Sequence, residues 1–208
     1  MWLSIMRITD IQEQKRKNRV NVYLDERFGF GVAKAVLVDF DLYIGKELEQ
    51  SEVDKIVVQD QANKALQKCF LLLGLRTRSE KELRDKLKAK QFDPKIINQT
   101  IKKVEEFGYL NDAEFTRIFI EMKKSKGKIA IRLELRRKGV DDEIIRRSLA
   151  KYYSTDEEIE SALNLAQKKL RTYKKLPSIK IKQKLSQYLA GRGFSWEIIS
   201  NVMRKVIT

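Results

Sequence analysis

Basic side chains recur in three segments of the chain, interleaved with apolar residues of helical spacing. Lysine and arginine hold phosphate and carboxylate groups by charge-assisted hydrogen bonds, and arginine can bind them in bidentate fashion. One cation on a helix is usually only solvated, but repetition in three copies favours a binding surface. We predict that its residues are Arg76, Arg78, Lys81, Arg84, Lys88, Lys90, Lys128, Arg132, Arg136, Arg137, Lys138, Lys182, Lys184 and Arg192.

Residues suited to catalysis, or to metal and cofactor binding, are scarce. The sequence has no histidine, which removes His-based triads and most zinc sites. A single cysteine, Cys69, cannot build a two-cysteine site. The acidic run at residues 141–143 stands at a predicted helix start, where acidic groups offset the helix dipole. We therefore predict no catalytic residue, no cofactor and no metal.

The elements that must carry the basic residues repeat three times. Phe92, Val140 and Phe194 take the same place in the three copies, and six further apolar positions match around each of them without a gap. In chain order these positions are Leu83, Leu87, Ile96, Ile97, Ile101 and Val104; then Ile131, Leu135, Ile144, Ile145, Leu149 and Tyr152; then Leu185, Leu189, Ile198, Ile199, Met203 and Val206. Such a period indicates a tandem array of one supersecondary unit, and we interpret the apolar positions as its core.

Helix signals divide each copy into a helix, a tight turn and a further helix. Gly139 and Gly193 lie just after the predicted end of a helix, where a residue in the left-handed conformation commonly terminates it. The first copy has Gln91 in that place, which should strain the turn slightly. The helix after each turn begins at a strong N-cap, namely Asp93, Asp141 and Ser195. Two further pairs resemble capping boxes: Ser79 with Glu82, and Asn111 with Glu114.

The first 60 residues follow a different pattern. Residues 7–11 and 20–24 alternate between apolar and polar side chains, which predicts strands, and residues 25–27 predict a hairpin turn before a third strand at 28–32. A short helix is predicted at residues 34–41. Another helix is predicted to begin near residue 51, with Ser51 as its N-cap.

The predicted fold is mainly α: an elongated curved array of three tandem three-helix repeats, preceded by a small N-terminal β-sheet segment with short helices. We place the β-rich domain at residues 1–60 and the repeats at residues 61–110, 111–153 and 154–208. No apolar run reaches the roughly 18 residues of a membrane span, and the first residues are too polar for a secretory leader. We expect a cytoplasmic monomer without membrane contact.

The net charge of +15 is spread evenly over the repeats. Residues 1–61 hold 9 Lys and Arg against 11 Asp and Glu, whereas residues 62–208 hold 35 against 18. The segments 62–110, 111–154 and 155–208 carry net charges of +6, +5 and +6. Stacked repeats with such uniform charge would present a long positive band, which attracts a long polyanion.

Three motifs carry a family resemblance. They are RTRSEKELRDKLKAKQFDPKIINQTI at residues 76–101, FGYLND at 107–112 and ELRRKGV at 134–140. These motifs are similar to the RecX family of regulatory proteins. The resemblance is specific in residues 74–150 and looser towards the C-terminus, and the front sheet resembles the added N-terminal segment of longer members. Gln91 departs from the family's usual glycine.

The resemblance implies a protein that binds the RecA–DNA filament in its helical groove. It implies that such a protein modulates, mostly as an inhibitor, RecA recombinase and ATPase activity in homologous recombination and DNA repair. Weak, salt-sensitive binding to single- or double-stranded DNA is also implied. The alternative is a stand-alone DNA-binding helical repeat protein, architectural or transcriptional, because three-helix units with a tight turn are also found in helix-turn-helix modules.

Overall fold

The computed structural model describes residues 5–15, 18–173 and 177–206. Over these residues the chain forms four strands and ten helices. This confirms a mainly α fold in which three three-helix repeats follow a small sheet along the chain. Residues 1 and 208, the predicted ends of the first domain and of the third repeat, lie outside the described residues. The chain divides into two compact units, which are taken in turn below.

The first unit comprises residues up to Leu75 and Arg84–Phe107, and it contains one four-stranded sheet. The strands are β1 (Ile5–Glu13), β2 (Arg19–Leu24), β3 (Arg27–Ala33) and β4 (Glu47–Glu49). Their order is β3-β2-β1-β4, and every pairing is antiparallel. Asp25 and Glu26 form the β2–β3 turn with positive φ, as a two-residue hairpin requires. The three predicted strands are confirmed.

Two helices cover the sheet and enclose its core. They are α1 (Lys34–Asp39) and α2 (Gln50–Leu75). The buried residues are Ile8, Val20, Val22, Leu24, Phe30, Val32, Val36, Leu42, Leu48, Val53 and Ile56. The predicted N-cap at Ser51 is wrong because α2 already includes Gln50, and the Glu52 carboxylate accepts a hydrogen bond from the Glu49 N–H (2.9 Å). From there α2 runs without a break past residue 60, the predicted domain boundary.

A buried carboxylate ties α2 to the sheet. Asp60 is 2% exposed. It accepts two hydrogen bonds of 3.1 Å from the Arg19 guanidinium and one of 2.9 Å from the Ala33 N–H, and Lys64 Nζ lies 2.8 Å away. Burial works to raise the pKa of Asp60, but the hydrogen bonds from Arg19, Lys64 and Ala33 outweigh it and leave the pKa below its usual value.

The rest of the first repeat follows α2. Helix α3 (Glu80–Lys88) has its first turn in the second unit, and α4 (Pro94–Glu106) packs along α2. The carboxylate of Asp93 caps α4 by accepting from the Lys95 N–H, as predicted. Cys69 is fully buried in α2, and burial raises the pKa of its thiol to about 11, so the reactive thiolate is not populated at neutral pH.

The second unit comprises Arg76–Leu83 and the residues from Gly108 onward. Its helices are α5 (Asp112–Lys123), α6 (Lys128–Arg137), α7 (Asp142–Tyr152), α8 (Thr155–Leu170), α9 (Ser178–Gly191) and α10 (Trp196–Val206). Helices α5–α7 enclose one apolar core around Ile131, Leu135 and Ile145, and α8–α10 enclose another around Leu185 and Leu189.

The repeated apolar positions are mostly buried, as predicted, and those of the second and third copies belong to these two cores. At three of the seven positions all three copies are buried. The partly exposed exceptions are Phe92, Ile144, Tyr152, Met203 and Val206. Four of these five pack at the edge of a buried cluster, where a helix face turns towards solvent. None of the helices within the described residues combines the length and apolar character that crossing a bilayer requires.

We predict that Asp60→Ala destabilises the first unit by about 3 kcal/mol, since removing one partner strands the Arg19 guanidinium and the Ala33 N–H. The measurement is the urea midpoint, together with amide hydrogen exchange at Ala33. Asp54→Ala, on the exposed side of the same helix, is the control and should change stability by less than about 0.5 kcal/mol. A loss below about 1 kcal/mol for Asp60→Ala would contradict the role given to this carboxylate.

Candidate functional site

The start of α3 docks on the turn that follows α6. The Ser79 hydroxyl donates to the backbone carbonyl of Lys138 (2.6 Å) and accepts from the N–H of Glu82 (3.2 Å). Gly139 in this turn has a φ of +79°, and a Cβ there would lie 2.5 Å from Lys81 Cβ. Glycine is thus required both by the left-handed backbone and by the close approach of the neighbouring helix.

The same joint recurs one repeat later, where the start of α6 docks on the turn after α9. The Gly127 N–H donates to the Arg192 carbonyl (3.0 Å), and the Ile129 N–H donates to the Gly193 carbonyl (3.2 Å). Gly193 has a φ of +83°, and a Cβ there would lie 2.8 Å from Ala130 Cα. Each of the two joints therefore sets the start of one basic helix on the end of the next.

Each joint also contains a carboxylate that binds predicted surface cations. Glu82 accepts from Arg76 (2.9 and 3.2 Å) and from Lys138 Nζ (2.6 Å). Glu158, which is 4% exposed, accepts from the Lys128 N–H (2.8 Å) and lies 3.6 Å from Lys128 Nζ. Lys138 and Lys128 therefore link neighbouring repeats, a role that their basic character alone did not indicate.

The charge state of Glu82 follows from its two partners. Burial works to raise the pKa of Glu82, but the hydrogen bonds and charges of Arg76 and Lys138 outweigh it and hold the pKa at about 2. Because the Glu82 side chain is committed to these cations, the capping box predicted with Ser79 forms only in half. A full capping box exists at Ser154 and Glu157, which sequence reasoning missed.

The fourteen predicted basic residues fall into four groups. Arg76, Lys128 and Lys138 belong to the joints described above, and Arg136 pairs with Asp142 (2.5 and 3.0 Å). Arg84 donates to Asn98 (2.7 Å), and Arg78 and Lys81 also have partners within the protein. The exposed ones without a hydrogen bond or ion pair to their side chains, within the described part of the chain, are Lys88, Lys90, Arg132, Arg137 and Lys182.

The last two predicted residues belong to a cluster of cations and tyrosines in the third repeat. Lys184 Nζ lies 6.0 Å from the ring centre of Tyr173, and the Arg192 guanidinium lies 5.2 Å from that of Tyr188. Lys169 Nζ lies 5.5 and 5.3 Å from the same two rings. Sequence reasoning missed Lys169 and both tyrosines, although the i, i+4 spacing of Lys184, Tyr188 and Arg192 was readable. Such contacts each contribute about 0.5–1 kcal/mol at exposed sites.

Helix α6 also presents apolar side chains beside its arginines. Ile129 and Leu133, one helical turn apart, are about half exposed, and Arg132 lies between them in sequence. No cluster of three or more potential metal ligands occurs among the described residues. The exposed face of α6 therefore offers charge and apolar area for association.

These features define a helical repeat protein whose second helices carry the basic residues. Four family models match the chain in order: "Regulatory protein RecX N-terminal domain" at residues 6–49, and the first, second and third RecX three-helix domains at residues 65–103, 111–149 and 156–203. The chain belongs to the RecX family of regulatory proteins.

Individual relatives agree with the family models. The chain is 37% identical over 202 residues to a Regulatory protein RecX of Bacillus velezensis, covering 95% of this chain and 76% of the relative. It is 33% identical to one of Clostridium acetobutylicum, covering 97% and 96%. A crystal structure of regulatory protein RecX matches with a TM-score of 0.75 at 30% identity, covering 96% of this chain and 99% of the other. RecX from Lactobacillus salivarius matches with a TM-score of 0.66 at 26% identity, covering 71% and 97%.

We predict that Glu82→Gln lowers the free energy of unfolding by about 2 kcal/mol at pH 7, because two cations lose their anionic partner. The folded pKa of Glu82 is depressed to about 2 from 4.5. Its contribution is therefore full above about pH 4.5 and is lost as the pH falls towards 2. Urea denaturation at pH 7 and pH 3 should show a smaller pH dependence in the variant. The exposed Glu160→Gln is the control, and an unchanged pH dependence in Glu82→Gln would contradict the assignment.

We predict opposite effects of substitution at equivalent turns. Gly193→Ala should destabilise the protein by about 3 kcal/mol, because left-handed strain adds to overlap with the docked helix. Gln91→Gly should stabilise it by about 0.5–1 kcal/mol, because Gln91 is exposed and has a φ of +60°. Thermal and urea unfolding measure both changes. If the stability lost in Gly193→Ala were no larger than the stability gained in Gln91→Gly, the docked helix would add no constraint at Gly193.

Proposed function

We propose that this protein binds the RecA–DNA filament, in its helical groove, and restrains RecA recombinase and ATPase activity. One observation carries the proposal: the second helix of every repeat in this RecX-family chain displays, or is followed by, exposed cations whose side chains make no hydrogen bond or ion pair within the described residues. These are Lys88 and Lys90 on or just after α3, Arg132 and Arg137 on α6, and Lys182 on α9. A filament that contains DNA is a long polyanion, which such a series of cations can contact at several points.

Several modest contacts in one chain combine through effective concentration. When one repeat is bound, the next is held near its own part of the filament, so the second contact costs less entropy than a separate encounter. Contacts between cations and phosphates also release counterions, so affinity falls as salt rises. Binding to naked DNA by the same cations is weak and salt-sensitive in this proposal. The protein acts as a cytoplasmic monomer.

The three arginines near the end of α6 do not contribute equally in this proposal. Arg136 is held by Asp142, and breaking that pair offsets part of any gain from a new contact. Arg132 and Arg137 are exposed and make no side-chain hydrogen bond or ion pair among the described residues. They are therefore the residues whose substitution reports on binding with the least effect on the fold.

The alternative function is that of a stand-alone DNA-binding repeat protein. It would bind duplex DNA tightly and with sequence preference in the absence of RecA, whereas the filament regulator binds duplex weakly. Duplex binding measured at two salt concentrations separates the two functions. The exposed Ile129 and Leu133 beside the α6 arginines favour a protein surface over phosphates alone.

We predict that the double variant Arg132→Glu/Arg137→Glu weakens binding to RecA filaments by at least about tenfold at moderate salt, a loss of about 1.4 kcal/mol. The control is Arg204→Glu/Lys205→Glu, which makes the same change of charge at exposed positions of α10. Binding is measured by fluorescence anisotropy on labelled filaments. Equal affinities of the two variants would exclude a specific role of the α6 cations.

A functional assay tests the proposal itself. RecA ATPase and strand-exchange rates are measured with and without the protein, and we expect both rates to fall at stoichiometric amounts. No effect on either rate would contradict the proposed function.

A further inference from the structure

A small apolar cleft lies on the surface of the second unit, beside the joint between α3 and α6. Its floor is formed by Phe115, Ile118 and Phe119 of α5, and Met122 stands at its edge. The rings of Phe115 and Phe119 pack with their centres 5.9 Å apart. Met122 is 74% exposed, so the floor continues into an adaptable, polarizable side chain that can close over a bound group.

The size of the cleft restricts what it can hold. Its volume is about 220 Å³, below the roughly 300–1,000 Å³ of sites for small molecules and cofactors. A single bulky side chain fits such a space, and a cofactor does not.

The walls of the cleft are positively charged. They include Arg76, Lys123 and Lys138, and the residues lining the cleft include no carboxylate. Lys138 Nζ lies 5.6 Å from the ring centre of Phe119, directly beside the apolar floor. Glu82 binds both Arg76 and Lys138 and offsets one positive charge. Together with Lys123, the walls of the cleft therefore keep a net charge of about +2. An occupant therefore gains from carboxylates next to its apolar group.

We infer that this cleft binds a bulky apolar side chain flanked by carboxylates, on the protein part of the RecA filament, an inference that rests on the function proposed above. The cations of the second helices contact the polyanion, whereas the cleft contacts protein. A phosphate group gains no binding energy from contact with a floor of two phenylalanines and an isoleucine, whereas an apolar side chain does. Anchoring by an apolar group in a pocket with a charged rim is the arrangement that dominates protein–protein affinity.

The test replaces the side chain at the edge of the cleft. Met122→Glu removes the apolar contact and adds a repelling charge, and we expect it to weaken binding to RecA filaments on single-stranded DNA by about tenfold or more. Met122→Lys removes the same apolar group without repelling carboxylates, so its loss should be smaller. Val38→Glu places the same charge at a position of α1 that is 76% exposed and is the matched control. Circular dichroism checks that each variant is folded.

The same single-stranded DNA without RecA is the second probe, and its binding should be unchanged by Met122→Glu. Unaltered filament binding by this variant would overturn the cleft while leaving the proposed function intact. An equal loss with naked DNA would also overturn it, because the cleft would then hold a nucleobase. Failure of the unaltered chain to bind filaments would contradict the proposed function, and the cleft inference with it.

Discussion

The contact between the start of one basic helix and the glycine turn after the next determines how successive repeats are joined in the second unit. At the first joint Ser79 binds the Lys138 carbonyl, and at the second the Gly127 and Ile129 N–H groups bind the turn at Gly193. Both use backbone groups that a helix end leaves without partners. Because a Cβ on either turn glycine would overlap the docked helix, the close approach of the helix start to each turn requires glycine there.

This joint divides the basic residues into two groups with different roles. Glu82 and Glu158 bind Arg76, Lys138 and Lys128, and these cations therefore stabilise the array of repeats. Lys88, Lys90, Arg132, Arg137 and Lys182 make no side-chain hydrogen bond or ion pair within the described residues and stay available to a ligand. Lys138 has two roles, since it pairs with Glu82 in the first joint and also lies against the Phe119 ring in the floor of the cleft. A net charge of +15 thus overstates the charge that is free to bind.

Sequence reasoning predicted what depends on neighbours along the chain. The apolar repeat, the strands of the sheet and the helix caps at Asp93 and Asp141 rest on short-range periodicity and local hydrogen bonds, and all were confirmed. It failed where a side chain has a choice of partners. Glu82 was assigned to a local cap but binds cations from before α3 and from after α6. Gln91 was expected to strain its turn, and its positive φ confirms this.

The sequence by itself determined the class of fold, the family and the even spread of charge, because these depend on residue types and their spacing. Only the tertiary structure decided which cations are free and where the cleft lies. The partner of a charge can be 56 residues away, as Glu82 is from Lys138. The lining of the cleft likewise brings α5 together with Arg76 and Thr77 before α3. Long charged side chains pair with whichever opposite charge lies near them in the folded protein, and the local sequence pattern does not contain that information.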